Sequence, residues 1–400
     1  MASSLYTHRM AKNPFSPTFG ASPRVLVGRD SILDEIRDTF EDGPQSPSRT
    51  ILFTGARGVG KTVMLNELED HARHLGWLVI SEAASAGLLD RLTRSHLPGL
   101  LAEHGASSRK FTSGAVTTPI GGISGDWGDR HPIESTLRSQ INELTDLLRP
   151  HETGLLITID EIQSADAEEL RKLGEVLQLA RREGRDLAFG GAGLSRAVTD
   201  LLNDDVVTFL RRAERFDLTD VPVEEVAEAM GAAIRSAGRS IDKRDLDQAA
   251  NATHGYPFLI QLVGHRIWLQ HPQATAITSD DVAAGTQQAT RRLGALVHAP
   301  AVSGLSEVDR AYLVAMAIDG AGPSRTGEVA KRLNVGLQYA GVYRDRLIGQ
   351  GLIEPVGHGF VKYTLPYLHE FLIQHGATDA LRAITTRARP LADPDSSGVE

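Results

Sequence analysis

Thr50-Ile51-Leu52-Phe53-Thr54-Gly55-Ala56-Arg57-Gly58-Val59-Gly60-Lys61-Thr62 is the stretch that decides the fold. Its first five residues are β-branched or large apolar types and end at a glycine, the pattern of a buried strand. The next eight match the glycine-rich phosphate-binding pattern in full. From Lys61 to Asp70 the spacing predicts a helix, with Val63, Leu65 and Leu68 placed to pack on a sheet. The order strand, glycine loop, helix serves phosphate chemistry. Glycines let backbone N–H groups wrap an anion, and the helix amino terminus adds positive potential. Lys61 neutralises the outer phosphates, and Thr62 offers a hydroxyl to Mg²⁺.

A second stretch completes such a site. Leu155-Leu156-Ile157-Thr158-Ile159-Asp160-Glu161 reads as an apolar strand ending in two acids. A carboxylate at the carboxyl end of a strand sits where open α/β sheets bind ligands, so Asp160 is the candidate to hold Mg²⁺ through water. Glu161 is then placed to orient and deprotonate an attacking water, and Lys61 to assist at the phosphate. Further apolar runs at Trp77 to Ile80, Leu187 to Gly190 and around Phe216 to Leu218 alternate with helical patterns. That alternation predicts an α/β core with a five-stranded parallel sheet.

The two motifs resemble the Walker A and Walker B motifs of P-loop NTPases, and the added glutamate resembles the ASCE branch, which includes the AAA+ and STAND families. The resemblance spans residues 14 to 295. It implies that Gly55, Ala56, Arg57, Gly58, Val59, Gly60, Lys61, Thr62 and Val63 hold ATP, with Thr62 and Asp160 on Mg²⁺. Upstream, Val25-Leu26-Val27-Gly28-Arg29-Asp30 resembles the VGR box that lines the adenine pocket in replication-initiator-like AAA+ proteins and several STAND proteins, so Val27, Gly28 and Arg29 join the nucleotide-binding set. Gly255-Tyr256-Pro257 resembles the GxP motif of a helical lid and adds Pro257. Initiator-type lids place an arginine near that motif. Here Pro257-Phe258 follows Gly255-Tyr256, which favours the STAND-like version. The fourth strand, Leu187 to Gly193, lacks a polar sensor side chain, leaving Ser195 or Arg196 as substitutes. Arg211 and Arg212 precede the fifth strand, where AAA+ proteins often carry the arginine that reaches a neighbour's γ-phosphate. The pair reads either as such an arginine finger or as solvated surface charge.

Beyond residue 219 helical spacing takes over, with Val223, Val226, Met230 and Ile234 on one face. The sequence divides into an extended segment over residues 1–22, an ATPase core over 23–218 with a Gly, Ser and Thr rich insertion over about 100–133, and a helical lid over 219–299. A winged helix over 300–376 and a tail over 377–400 complete it. HAPAVSG reads as the linker into the winged helix, and Ser306 with Asp309 caps its first helix. The winged helix offers Arg344 and Arg346 as candidate contacts to duplex DNA, yet from Ser303 to His375 seven Lys and Arg balance seven Asp and Glu. DNA affinity rests largely on phosphate neutralisation, so a protein-facing role stands beside DNA binding.

Composition bounds the rest. The 400 residues carry a net charge of -9 and contain no cysteine, which excludes disulfides, thiolate metal sites and cysteine nucleophiles. The stretch MASSLYTHRMAKNPF lacks the apolar core of a secretory signal, and no run reaches membrane-spanning length, which predicts a cytoplasmic protein. The sequence thus predicts an ATP-driven, Mg²⁺-dependent conformational switch with slow or partner-stimulated hydrolysis and nucleotide-dependent self-association. The alternative is an initiator or transcriptional regulator whose hold on DNA is set by ATP.

Overall fold

The computed structural model describes residues 12–18, 20–41, 43, 46–111, 133–203 and 205–375. Its centre is built from α1 (Asp30–Glu41), β1 (Thr50–Gly55), α2 (Lys61–His74), β2 (Leu78–Ala83), α3 (Leu88–Arg91), α4 (Leu97–Phe111), α5 (Ile133–Leu148), β3 (Leu155–Asp160), α6 (Ala167–Arg182), β4 (Leu187–Leu194), α7 (Ser195–Asn203) and β5 (Glu214–Leu218). The five strands form one parallel sheet in the order β2-β3-β4-β1-β5. This is the ASCE-type α/β class expected from the sequence.

Alternation along the strands explains the layers. In β1, Ile51 and Phe53 face one side with α1 and α2, where Met64, Leu65 and Leu68 meet them. Leu52 faces the other, with Leu155, Ile157 and Ile159 of β3 and with Leu170 and Leu173 of α6. A parallel sheet covered on both faces needs such residues on both sides. All strands point the same way, so the loop after β1 and the acids ending β3 emerge at one edge.

The chain continues through α8 (Val223–Ser236), β6 (Ser240–Ile241), α9 (Lys243–Asn251), α10 (Pro257–Trp268), β7 (Ala276–Ile277), α11 (Ser279–Leu293) and α12 (Ala299–Ser303). Helix α10 is buried almost all round, including Leu259, Ile260, Leu262, Val263 and Ile267. A helix apolar on every face belongs at the centre of a domain. The last part comprises α13 (Glu307–Ala317), β8 (Ser324–Arg325), α14 (Thr326–Arg332), α15 (Leu337–Gly349), β9 (Ile353–Pro355) and β10 (Phe360–Tyr363), with the strands antiparallel in the order β8-β10-β9. That is the element order of a winged helix. Ser306 caps α13 by accepting from the Asp309 N–H at 3.2 Å.

Three features differ from the sequence reading. The stretch read as a linker is helical, with π-type Gly294–His298 leading into α12. Pro300 follows the π-type turn directly, within a helical run that continues from α11. The region read as an insertion begins later than residue 100, because α4 runs to Phe111; residues 112–132 of it lie outside the described residues. Of the segment read as extended, the described residues 12–18 pack firmly on the rest of the chain. Phe15 is 2% exposed and its ring lies where a side chain at Gly264 would stand.

Candidate functional site

The loop Gly55 to Gly60 turns from β1 into α2 with positive φ at Gly58 (75°) and at Gly60 (101°), the residue capping α2. Only glycine takes these conformations without strain. Lys61 is 6% exposed, and its ammonium donates to the carbonyls of Ala56 at 2.7 Å and Gly55 at 3.3 Å. Burial pushes the Lys61 pKa down; Glu161 and Asp160 oppose that shift, while Arg57 adds to it. The charge is therefore held close to the loop by two carbonyls and two carboxylates.

Opposite the loop, the Thr62 hydroxyl donates to Asp160 Oδ2 at 2.7 Å, and Asp160 Oδ1 accepts from the Glu161 N–H at 2.8 Å. Thr62 and Asp160 thus bring two hard oxygen donors together at the edge of the phosphate loop. This donor set fits Mg²⁺, which is bound by one or two protein oxygens together with waters and phosphates rather than by a protein cage.

Glu161 adopts φ of 51° just after β3, so its side chain leaves the strand direction. Its Oε2 accepts a short hydrogen bond from the Gln163 amide, and Gln163 Oε1 accepts from the Leu194 N–H at 3.2 Å. Gln163 is a partner that sequence reasoning missed. A glutamine after two acids has no periodicity to mark it. At the end of β4, Ser195 donates to Asp217 Oδ1 at 2.8 Å, and Thr54 donates to the same oxygen at 2.9 Å. Ser195 therefore belongs to a bracket tying β4, β1 and β5 together.

The loop borders a cavity of about 390 Å³, within the roughly 300–1,000 Å³ of ligand sites. Arg57, Lys61, Thr62 and Glu161 line it from the core, Tyr256 and Pro257 from the start of α10, Pro300 and Leu365 from further on, and Ser16 and Thr18 from the amino-terminal segment. A narrower apolar slot of about 40 Å³ adjoins it between Val27, Arg29, Val59, Val63, Pro257 and Ile260. Arg29 is 8% exposed and donates to the carbonyls of Val59 at 3.3 Å and Thr219 at 2.6 Å. Its guanidinium braces the loop against the exit of β5. Gly28, at φ of 64°, approaches Val221 closely.

The amino-terminal segment is a strap that sequence reasoning did not foresee. Ser16 N–H donates to Gln261 Oε1 at 3.1 Å, and the Gln261 amide donates to the Val25 carbonyl at 2.9 Å. Asn66 of α2 reaches the Gly20 carbonyl at 2.8 Å. The strap thus bridges α10 and α2 across the cavity.

The remaining candidates lie elsewhere. Arg211 and Arg212 are exposed on the 3-10 segment before β5, and Arg211 Nε donates to the Leu202 carbonyl at 2.7 Å. Neither lines the cavity. In α15, Arg346 pairs with Asp309 at 3.2 Å and Arg344 with Asp345 at 3.0 Å. The carboxyl end of α15 comes to the loop itself, where Arg57 Nε donates to the Gln350 carbonyl at 3.1 Å.

Comparison with known proteins agrees with this geometry. Residues 25–189 match the AAA ATPase domain, and residues 295–372 match the domain of unknown function DUF8462. No curated protein matches the sequence. Among solved structures, a Walker-type ATPase of Pyrococcus abyssi is similar at 15% identity and a TM-score of 0.61, covering 87% of this chain and 96% of that one. The ADP form of the Aeropyrum pernix ORC2 protein is similar at 16% identity and a TM-score of 0.50, covering 93% and 97%. At these identities the likeness is one of fold. Residues 25–189 therefore carry an AAA ATPase domain on a five-stranded parallel sheet, and over most of its length the chain shares the fold of these solved ATPase and ORC2 structures.

Proposed function

We propose that this ATPase is a conformational switch in which ATP·Mg²⁺ at the loop sets the position of the lid and of the carboxy-terminal module together. One observation carries the reading: a single cavity beside Lys61 is lined from the sheet core, from α10, from the segment after α11 and from the strap. A ligand there touches every part that would move. The apolar slot between Val27, Val63, Pro257 and Ile260 adjoins the phosphate loop, where the resemblance places the adenine base.

In this reading the N–H groups of Gly58 to Thr62 and the Lys61 ammonium hold the phosphates, and Thr62 and Asp160 hold Mg²⁺, which supplies charge neutralisation when bound. Glu161 takes a proton from water as its oxygen attacks the terminal phosphorus, and the bond to ADP breaks. Gln163 holds one oxygen of the Glu161 carboxylate, a partner that competes with the attacking water for it. That supports slow or partner-stimulated turnover. Arg211 and Arg212 are exposed, as a finger acting on a neighbouring copy in a nucleotide-dependent assembly must be.

DNA binding by the carboxy-terminal module stands second. Five of its seven basic residues are paired within the chain: Lys331 with Glu328 at 2.8 Å, Arg332 with Asp319 at 2.5 Å and Lys362 with Glu354 at 2.9 Å, besides Arg344 and Arg346. Leu337, Tyr339 and Val342 are exposed on α15, a surface suited to protein contact rather than to phosphates. A duplex titration over a salt series separates the readings, because binding with a steep salt slope would promote the DNA reading. The switch itself predicts that Lys61→Ala abolishes ATP binding. Undiminished ATP affinity in that variant would sink it.

A further inference from the structure

A second cavity, of about 330 Å³, lies where the strap crosses α10 and the end of α11. Its polar wall is made by Ser16 and Thr18 of the strap, His265 and Arg266 of α10, and Arg292 of α11. Leu262, His265 and Arg266 stand at positions i, i+3 and i+4 of α10, so one helix face supplies all three. Ser16, Thr18 and Leu296 also line the cavity beside Lys61, and the two cavities therefore share a wall.

The wall is cationic in a chain whose net charge is -9. Among the described residues no Asp or Glu lines it. Elsewhere the chain neutralises its arginines: Arg171 pairs with Glu168 at 2.5 Å, Arg185 with Asp146 at 2.8 Å and Arg332 with Asp319 at 2.5 Å. Arg266 and Arg292 have no carboxylate partner among the described residues. Arg266 Nε and His265 Nδ1 are, moreover, buried without a hydrogen-bond partner. Buried polar atoms ordinarily find one, so two on a single cavity wall ask for an occupant. Burial first, and then the charge of Arg266, push the His265 pKa down, with no acid opposing them.

Size and chemistry narrow the occupant. The volume falls within the roughly 300–1,000 Å³ of small-molecule sites. Guanidinium groups favour carboxylates and phosphates, which they meet with paired hydrogen bonds. Donors arrive here from three separate elements, and a phosphate, with its tetrahedral oxygens, can meet all three where a planar carboxylate has only two oxygens to offer. Phe15, Leu262 and Leu296 leave an apolar side for the carbon part of a phosphate ester.

We propose that this cavity is a second ligand site, separate from the nucleotide site, which takes a small phosphate-bearing molecule. Arg266 and Arg292 hold the phosphate, and His265 and the strap hydroxyls donate to its remaining oxygens.

The test titrates inorganic pyrophosphate calorimetrically into the full chain carrying Lys61→Ala, which takes the phosphate loop out of play. Binding is expected, and adding Arg266→Gln or Arg292→Gln is expected to weaken it about tenfold each, the scale of one charge-assisted hydrogen bond. Arg292 is exposed, so Arg292→Gln keeps the test open even if Arg266→Gln disturbs α10. Pyrophosphate binding that neither substitution weakens overturns the proposal, as does the absence of binding up to about 1 mM. Short duplex DNA is titrated alongside. Duplex binding that both substitutions weaken, with no binding of pyrophosphate, would overturn the proposal by assigning these cations to a nucleic-acid backbone.

Discussion

In the core, apolar side chains lie on two faces of one sheet and form two separate clusters, whereas from Val221 onward a single cluster runs through the lid and the carboxy-terminal module to Leu372. Phe15 of the strap and Val27 beside the apolar slot belong to that larger cluster as well. Tyr367 reinforces it, donating to the Ala252 carbonyl at 2.9 Å and meeting the ring of His254 edge-on. Continuous packing resists relative motion, because interiors are as dense as organic crystals. The sheet core thus packs around its own two clusters and the chain from Val221 onward around another, and the two meet at the cavity, at Gly28 against Val221 and at Leu194 against Gly351. In the proposed switch, nucleotide acts where these parts meet.

The largest expected effect concerns the core alone. Glu161→Gln is expected to lower turnover by about 10²–10⁴-fold with ATP affinity within a few-fold of wild type, measured by phosphate release and by calorimetry. If turnover survived, the base would be another residue.

Next in size, Phe15→Ala removes a ring buried against α10 and is expected to cost about 3–5 kcal/mol. Hydrogen exchange should show the loss in α10 and α11 and leave β1 and β3 protected. Equal loosening of the sheet would mean that the two parts are not separate.

Acid should also distinguish them. His298 is 1% exposed, donates from Nε2 to the Pro366 carbonyl at 2.9 Å, and has no partner at Nδ1 among the described residues. Burial lowers its pKa to about 4, below the 6.5 of an open histidine. The unfolded chain therefore binds the proton first. The stability from neutral His298 is complete above pH 6.5 and is lost as pH falls toward about 4, up to about 3 kcal/mol. Denaturant unfolding at pH 7 and pH 5 should show this slope in the wild type and a flatter one in His298→Gln.

The smallest effect lies where the two parts meet. Arg57→Ala removes an exposed hydrogen bond to Gln350 and is expected to change stability by less than about 1 kcal/mol in the same unfolding assay. A larger loss would show that the contact is structural rather than a point of release.

The two parts were not equally legible in the sequence. β1 and β3 announce themselves because strand and motif are contiguous in the chain. β4 runs one residue past the Leu187 to Gly193 read from the sequence, and its Gly191 and Gly193 make room for Leu52, Ile162 and Val198. The helices α8, α13, α14 and α15 follow their spacing. The strap, Gln163 and the Arg57–Gln350 contact left no local trace, because each joins residues whose neighbours in sequence do other work. Tyr256 was visible as the middle of Gly255-Tyr256-Pro257, but only the fold places its hydroxyl on Gly58.

The chain contains no cysteine, which makes a direct measurement of the central claim practical. Spin labels on introduced cysteines at the exposed positions Glu175 in the core, Lys243 in the lid and Lys331 in the carboxy-terminal module would report two distances by pulsed paramagnetic resonance. With ATP·Mg²⁺ in place of ADP·Mg²⁺, the distance from residue 175 to residue 331 should change while that from residue 243 to residue 331 stays fixed. A fixed distance from residue 175 to residue 331, or a change between residues 243 and 331, would contradict a nucleotide-driven movement of lid and module as one body.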